Sequence, residues 1–181
     1  MLPIHIQPFP GDIVVLQTLN RLHSPFFDKV FVFFSDLGEW AIIWAIIGLI
    51  LLIANRKKGR IIFSMIVLSI IFSSFLNDLL IKTFFFRQRP YLALENIHHL
   101  GTNWANSSFV SGHTSASVAA AVILIYFYPS KIILFVALTL LIMYSRIYLG
   151  MHYPSDIIGG IIVGVIAAFI CINIMKKTSK K

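Results

Sequence analysis

Five long apolar runs constrain this chain more than any other feature of its sequence. About 20 helical residues, each rising ~1.5 Å, cross the hydrocarbon core of a bilayer. The composition agrees with membrane insertion, since 58% of the residues are hydrophobic and only 12% are charged, against about 25% charged in soluble domains. The sequence therefore predicts an all-α, polytopic membrane helix bundle with five transmembrane helices. The predicted spans are 39–54, 60–82, 113–129, 131–149 and 154–175.

Two further helices are predicted before the first span. Residues 12–22 repeat leucine and isoleucine at helical spacing but are too short to cross a bilayer, which is typical of an amphipathic surface helix. Ser24 followed by Pro25 indicates the start of a second helix, over 25–37, that lies at the interface or inserts partly. The predicted single domain has three parts: interfacial helices 1–38, a transmembrane catalytic core 39–175, and a basic cytoplasmic tail 176–181.

The basic residues of the connecting segments predict the orientation. Basic residues occur at 55–60, at Lys131 and in the tail after residue 175. With five spans, all three groups lie on one side, which the positive-inside rule assigns to the cytoplasm. The long loop 90–112 then faces the periplasm or the exterior. We expect a multi-pass protein of the cell (inner) membrane, targeted by its own helices because no cleavable signal peptide is evident.

The net charge of +8 does not indicate a nucleic-acid partner, because the basic residues lie between or after apolar runs. The bilayer itself is the expected partner. A single cysteine, Cys171, excludes an intrachain disulfide and a cysteine metal cluster, so a packing role is expected.

Cationic residues at the outer ends of the spans break this cytoplasmic pattern. Lys82, Arg89 and Arg146 lie there, where ionisable groups are costly and indicate function. Arginine forks match phosphate oxygens in pairs. Ser111 and Gly112 precede a helix, whose free N–H groups and dipole favour an anion. These five residues predict a phosphate site that contains no metal.

Two histidines indicate the reaction. Asp156 lies four residues after His152 and is positioned to hold one imidazole nitrogen protonated, which leaves the other nitrogen free to attack phosphorus. His113, from another helix, is positioned to protonate the leaving oxygen as a general acid. The cations would stabilise charge on the phosphoryl oxygens during transfer.

With these residues in place, the chain resembles the type 2 phosphatidic acid phosphatase family of integral membrane lipid phosphatases. Three family motifs occur in the family order. They are Lys82 to Arg89-Pro90; Ser111-Gly112-His113; and Ser145-Arg146, His152 and Asp156. The second motif departs from the family pattern, because Val110 stands where proline is usual. This change removes no catalytic group.

The resemblance implies a phosphohistidine intermediate on His152, proton donation by His113, and no need for a divalent metal or another cofactor. It implies a lipid phosphate substrate: undecaprenyl pyrophosphate, phosphatidylglycerol phosphate, phosphatidic acid or lipid A 1-phosphate. The sequence does not choose between these four lipids. An alternative of a different class is a transporter or channel whose buried charges line an ion path.

Four polar residues near the motifs are interpreted more plainly. Arg87 is expected either at the surface or facing the substrate. Asp78, four residues before Lys82, is expected to pair with it on one helical face. His98 and His99 form a histidine pair in the loop, and we expect them to be solvated rather than to bind a metal.

Overall fold

The computed structural model of the protein describes residues 3–178, and most of them are helical. A seven-residue π-helical segment, Phe75–Ile81, joins the fourth helix to the fifth. The helices are α1 (Pro10–Asn20), α2 (Pro25–Gly38), α3 (Ile42–Ala54), α4 (Arg56–Ser74), α5 (Lys82–Phe84), α6 (Pro90–Ala93), α7 (Gly112–Phe127), α8 (Ile132–Tyr148) and α9 (Pro154–Thr178). Two short strands, β1 (Ile4–His5) and β2 (Phe85–Phe86), pair in parallel.

The predicted helical membrane bundle is confirmed. Among the described residues, four segments are long and apolar enough to cross a bilayer, and α7 is a shorter apolar helix. The count of five spans stays a prediction, because α7 has only 16 residues. The four long segments are Pro25–Ala54, Arg56–Phe84, Pro129–Tyr148 and Pro154–Thr178.

Helix α7 lies at the centre of the bundle and packs against α4, α8 and α9. Its buried face carries alanines and serines, and small residues let helix backbones approach closely in membranes. On α9, a Cβ at Gly160 would lie 2.8 Å from the carbonyl oxygen of Ser111, and one at Gly164 would lie 2.5 Å from that of Ser115. These two glycines therefore fix how closely α9 approaches the N-terminal half of α7.

Helices α1 and α2 occur close to where the sequence predicts them. Both pack against α8, whereas the sequence predicts that they lie on the membrane surface or insert only partly. Ser24 caps α2 by accepting a hydrogen bond from the amide of Phe27 at 3.3 Å. Helix α2 then meets α3 at a bend, where Trp40 and Ala41 have positive φ. Helices α2 and α3 belong to one 30-residue apolar segment, Pro25–Ala54. The bend divides this segment close to the predicted boundary at residue 38.

One end of the bundle collects the basic groups predicted to be cytoplasmic. The Nζ of Lys58 lies 4.4 Å from the ring centroid of Tyr128, and that of Lys176 lies 5.3 Å from the ring of Tyr126. The start of α4, the end of α7 and the end of α9 are therefore neighbours. The predicted tail 176–181 extends beyond the described residues.

Candidate active site

A cavity of about 270 Å³ lies at the opposite end of the bundle from these basic groups. Six of the eight residues predicted for the site line it directly. They are Lys82, Arg89, Gly112, His113, Arg146 and His152. The cavity wall also contains two tryptophans, Trp40 and Trp104, and Trp40 is 83% exposed. Residues from five helices, α2, α4, α5, α7 and α8, and from the loops between them thus meet in one basic pocket that opens beside an indole.

His152 is placed by the turn that ends α8. The amides of Met151 and His152 both donate to the carbonyl oxygen of Arg146, at 3.0 and 3.2 Å. Gly150 has a φ of +68°, and a Cβ there would lie 2.5 Å from Ile97, so only glycine fits this turn. The turn sends the imidazole into the cavity, directly after the helix that carries Arg146.

The two imidazole nitrogens of His152 face different groups. Nδ1 lies 3.5 Å from Oδ2 of Asp156 and has no hydrogen-bond partner among residues 3–178. Nε2 lies 3.3 Å from Nη1 of Arg89, a residue that lines the cavity. The ring therefore presents Nε2 toward Arg89 and keeps Nδ1 beside a carboxylate.

Arg87 is buried and is not among the described residues that line the cavity, so neither a surface position nor a position facing the cavity is found. Its side chain is 2% exposed. Nη1 donates to Oδ1 of Asp156 and to Oγ of Ser155, each at 2.7 Å. Asp12 of α1 lies 3.8 Å from the same nitrogen and accepts from the hydroxyl of Ser155 at 2.6 Å. Arg87 is thus the counter-ion of the carboxylate beside His152, and α1 takes part in the network.

Arg89 is held in place by Asn106, in the loop 90–112, and by Met151, in the turn after α8. Its Nη2 donates to Oδ1 of Asn106 at 2.6 Å, its Nε donates to the Asn106 carbonyl at 3.3 Å, and its Nη1 donates to the Met151 carbonyl at 3.2 Å. These bonds fix the guanidinium beside Nε2 of His152. Burial lowers the pKa of Arg89 from its ordinary value, and it stays a cation because that value is so high.

The other two predicted cations enter from α5 and α8. The Nζ of Lys82 lies 2.9 Å from Oδ1 of Asp78, so the predicted pair is present. Arg146 is 3% exposed, and its Nη1 donates to the hydroxyl of Ser35 on α2. Helix α2, predicted to be interfacial, therefore contacts a residue that lines the cavity.

The start of α7 holds His113 in the cavity but uses Ser111 differently from the prediction. The Ser111 amide donates to the Asp156 carbonyl at 3.1 Å, and its hydroxyl accepts from the Thr114 hydroxyl at 3.1 Å. Ser111 does not line the cavity among the described residues, and its N–H is already engaged. The structure thus gives no support to phosphate binding by Ser111, which instead caps α7 and joins it to α9.

Gly112 lines the cavity, but its amide also has a partner within the protein. With the Asn77 amide oriented to satisfy both of its neighbours, its oxygen accepts from the Gly112 amide at 3.2 Å and its nitrogen donates to the Val110 carbonyl at 3.3 Å. Asn77 belongs to the π-helical segment and is fully buried. The sequence prediction gave Asn77 no role. In the structure, the side chain of Asn77 holds residues 110–112, which lead into α7.

The chain also matches a known protein family. A family model described as the PAP2 superfamily matches residues 60–180. The chain belongs to the PAP2 superfamily. The matched residues contain every residue of the predicted site, from Lys82 to Asp156.

Two proteins that are similar to this PAP2 chain are named as phosphatases. A lipid A 4'-phosphatase of Porphyromonas gingivalis is 31% identical over 157 residues, which cover 82% of this chain and 66% of that protein. The chain therefore spans just under two thirds of that relative's length. An undecaprenyl-diphosphatase of Bacillus subtilis is 29% identical over 150 residues, which cover 82% of this chain and 75% of that protein.

Solved structures agree in fold. The crystal structure of Aquifex aeolicus LpxE matches with a TM-score of 0.79 and 28% identity, covering 94% of this chain and 99% of that one. A phosphatidylglycerolphosphate phosphatase of Bacillus subtilis matches with a TM-score of 0.66 over 92% of this chain and 85% of that one. Its identity of 20% supports the fold alone.

The electrostatics of this PAP2 site favour a neutral His152. Burial lowers its pKa well below the ordinary value, and the nearby cations Arg89, Arg146 and Lys82 lower it further. A neutral imidazole has a free lone pair on one nitrogen, as an attacking group requires. Tyr153, the next residue, has its pKa raised to about 12, chiefly by burial.

Proposed function

We propose that this PAP2 protein hydrolyses the terminal phosphate of a membrane lipid through a phosphohistidine on His152. The observation that carries the proposal is the convergence of two histidines and three cations on one cavity at the end of a membrane bundle. The three cations are Lys82, Arg89 and Arg146. A transferring phosphoryl group needs such concentrated positive charge around its oxygens.

The proposed reaction has two steps. Nε2 of His152 attacks phosphorus, the bond between phosphorus and the lipid oxygen breaks, and His113 gives its proton to that oxygen. Water then attacks the phosphohistidine, His113 takes a proton from this water, and inorganic phosphate leaves with His152 restored. Asp156, 3.5 Å from Nδ1, stabilises the positive imidazole of the intermediate. The family resemblance implies that no divalent metal takes part.

We propose a substrate whose phosphate or diphosphate enters the cavity while its apolar tails stay in the bilayer. Trp40 and Trp104 line the cavity, and indoles favour the depth of the headgroups. The similar proteins of Porphyromonas gingivalis and Bacillus subtilis are named for lipid A and undecaprenyl diphosphate. The cationic cavity suits either headgroup, so polyisoprenyl diphosphates and lipid A phosphates are the first substrates to compare.

The test is phosphate release by the purified protein over four lipids: undecaprenyl diphosphate, lipid A 1-phosphate, phosphatidylglycerol phosphate and phosphatidic acid. We expect release from at least one, and none from His152→Ala at equal folded concentration. Exposed His5 supplies the matched control, His5→Ala, which should keep full activity. Release by His152→Ala at the wild-type rate would exclude the proposed nucleophile. Absence of release from all four lipids, with lipid phosphate moved across vesicles instead, would favour the transporter.

We further propose that the cavity faces the periplasm or the exterior of a cell membrane. Support comes from the basic groups, which collect at the other end of the bundle. In a Cys171→Ser background, a cysteine at exposed Thr102 should react with a membrane-impermeant thiol reagent in intact cells or spheroplasts. A cysteine at exposed Lys58 should react only after lysis. The reverse pattern would place the cavity in the cytoplasm.

A further inference from the structure

A second cluster of metal-ligating side chains lies outside the phosphate cavity. It consists of His23, which follows α1, Asp28 in the first turn of α2, and His98 in the loop 90–112. One ligand atom from each residue lies within 4.8 Å of the other two. The rings of His23 and His98 stack, with centroids 4.0 Å apart and planes at 13°. The cluster brings together residues separated by up to 75 positions in the chain.

The backbone at His98 is held before any ligand arrives. The side chain of Asn20, which is 2% exposed, accepts from the His98 amide and donates to the His98 carbonyl, each at 2.8 Å. The same nitrogen of Asn20 donates to the carbonyl of Tyr148 at 2.7 Å. This buried and fully hydrogen-bonded amide fixes the backbone of the loop at His98.

The carboxylate of the cluster is also oriented. The hydroxyl of Tyr148 donates to Oδ1 of Asp28 at 2.8 Å and accepts from the amide of Ser24 at 3.1 Å. The other oxygen, Oδ2, remains turned toward His98, 3.3 Å from its Nε2. Partners that orient a ligand in this way are typical of metal sites, where they fix the direction of the ligand's lone pair.

The Nε2 atom of His98 is buried and has no hydrogen-bond partner among residues 3–178. The next residue makes the contrast clear, because both ring nitrogens of His99 are engaged. Its Nδ1 lies 3.1 Å from the Leu149 carbonyl, and its Nε2 lies 2.9 Å from Oδ1 of Asn103. Of this histidine pair, His98 alone aims a free nitrogen at a carboxylate and a second imidazole.

We propose that His23, Asp28 and His98 form a binding site for a zinc-class divalent cation. Two imidazoles and one carboxylate suit Zn²⁺, whereas Mg²⁺ and Ca²⁺ prefer ligand sets made of oxygen. Ligand bonds of about 2.0–2.2 Å require the three atoms to draw closer together. His23 is exposed and can make that movement. Water fills the fourth position. The expectation that His98 is merely solvated is replaced by this proposal.

The ion would join the N-terminal helices to the loop that supports the phosphate site. Downstream of His98, that loop carries Trp104 and Asn106, both of which line the cavity, and Asn106 holds Arg89. The three ligands themselves do not line the cavity within the described part of the chain. The ion therefore stabilises the outer face of the protein and takes no part in the chemistry proposed for His152.

The test uses tag-free protein in detergent, stripped with EDTA and desalted, then titrated with Zn²⁺ in competition with a chromogenic chelator. We expect one equivalent of Zn²⁺ per chain in the wild type and in His5→Ala. Zn²⁺ binding should be lost in His98→Ala. In His23→Gln, the affinity of the protein for Zn²⁺ should fall at least tenfold. His23 is exposed, so this substitution should not disturb folding. Zn²⁺ binding should persist in the double variant His113→Ala/His152→Ala, which removes both cavity histidines.

Thermal unfolding gives a second, independent measurement. Zn²⁺ should raise the melting temperature of the wild type but not of His23→Gln, and Mg²⁺ at the same concentration should raise neither. The proposal is overturned if the wild type takes up no Zn²⁺. It is also overturned if uptake and thermal shift are unchanged in His23→Gln and His98→Ala, or are lost with the cavity histidines. Because Zn²⁺ binding is measured without turnover, failure here leaves the phosphatase proposal standing, and the reverse also holds.

Discussion

Replacing Arg87 by methionine tests the least expected feature of the site, the buried counter-ion of Asp156. Methionine keeps an unbranched apolar side chain at this position and removes the charged guanidinium. Nη1 donates to Asp156 and Ser155 at 2.7 Å, and the Asp156 side chain is fully buried. Removing one partner of a buried ion pair costs about 3–5 kcal/mol, because the other charge stays behind without compensation.

The magnitude can be checked against the individual contacts. A hydrogen bond to a charged group contributes about 1.5–3 kcal/mol, and a neutral one contributes about 0.5–1.5 kcal/mol. Both bonds donated by the Arg87 guanidinium involve a charged group, so together they give about 3–6 kcal/mol, which overlaps the range for the buried pair. For a chain of this size, 1 kcal/mol corresponds to about 2–4 °C in melting temperature. Arg87→Met should therefore unfold about 6–20 °C lower in detergent.

Fluorescence-detected thermal unfolding measures this shift, with Arg21→Met as the control because Arg21 is exposed. The double variant Arg87→Met/Asp156→Asn should lose much less stability than the two single changes added together, since neither charge is then left alone. Phosphate release by Arg87→Met should fall as well, because the carboxylate beside His152 loses its anchor. Stability and turnover like those of Arg21→Met would refute the assignment of Arg87 as counter-ion.

Two further predictions concern catalysis. His113→Ala should reduce hydrolysis of a lipid phosphomonoester far more than that of an activated aryl phosphate, because an acid assists a poor leaving group most; equal losses on both substrates would contradict the role. Because the pKa of His152 is lowered by burial and by the neighbouring cations, its neutral, attacking form persists below the ordinary value of about 6.5. The acid limb of kcat/KM should therefore lie below pH 6.5, and a limb at or above that pH would show that the imidazole is not depressed.

The sequence predicted which residues meet at the cavity better than it predicted the contacts that hold them there. The motif residues identify themselves, because cations and histidines at helix ends are rare in apolar chains. Arg87 gave no such signal: its partners Asp12 and Asp156 lie 75 and 69 positions away, and nothing local to the chain indicates them. An arginine two residues before Arg89 therefore resembled a surface residue.

Ser111 is a residue for which the local sequence allows two interpretations. A serine directly before a helix is a typical N-cap, and this local signal was available in the sequence. The phosphate interpretation was attached to it because a helix N-terminus also attracts anions. The structure separates the two roles, since the amide of Ser111 is occupied by the Asp156 carbonyl. Asn77 was missed for another reason, because a π-helical segment has no recognisable sequence pattern.

The packing of α1 and α2 against other helices of the bundle could not be predicted from the periodicity of their hydrophobic residues. The buried residues of α1 include Asp12 and Asn20, two polar side chains whose partners lie in distant loops and helices. A hydrophobic pattern indicates which face meets lipid or core, but it does not indicate a polar face that meets other polar groups. For this reason the N-terminal region was expected to lie on the membrane surface rather than against the active-site helices.

The most direct test of the account is the chemical nature of the phosphorylated enzyme. Rapid quenching during turnover of a ³²P-labelled substrate, followed by peptide mapping, should give a label that is stable to alkali and labile to acid. The label should map to the peptide that contains His152 and be absent from His152→Ala. An acid-stable label, a label on another residue, or turnover with no labelled enzyme under any quench condition would contradict the phosphohistidine mechanism.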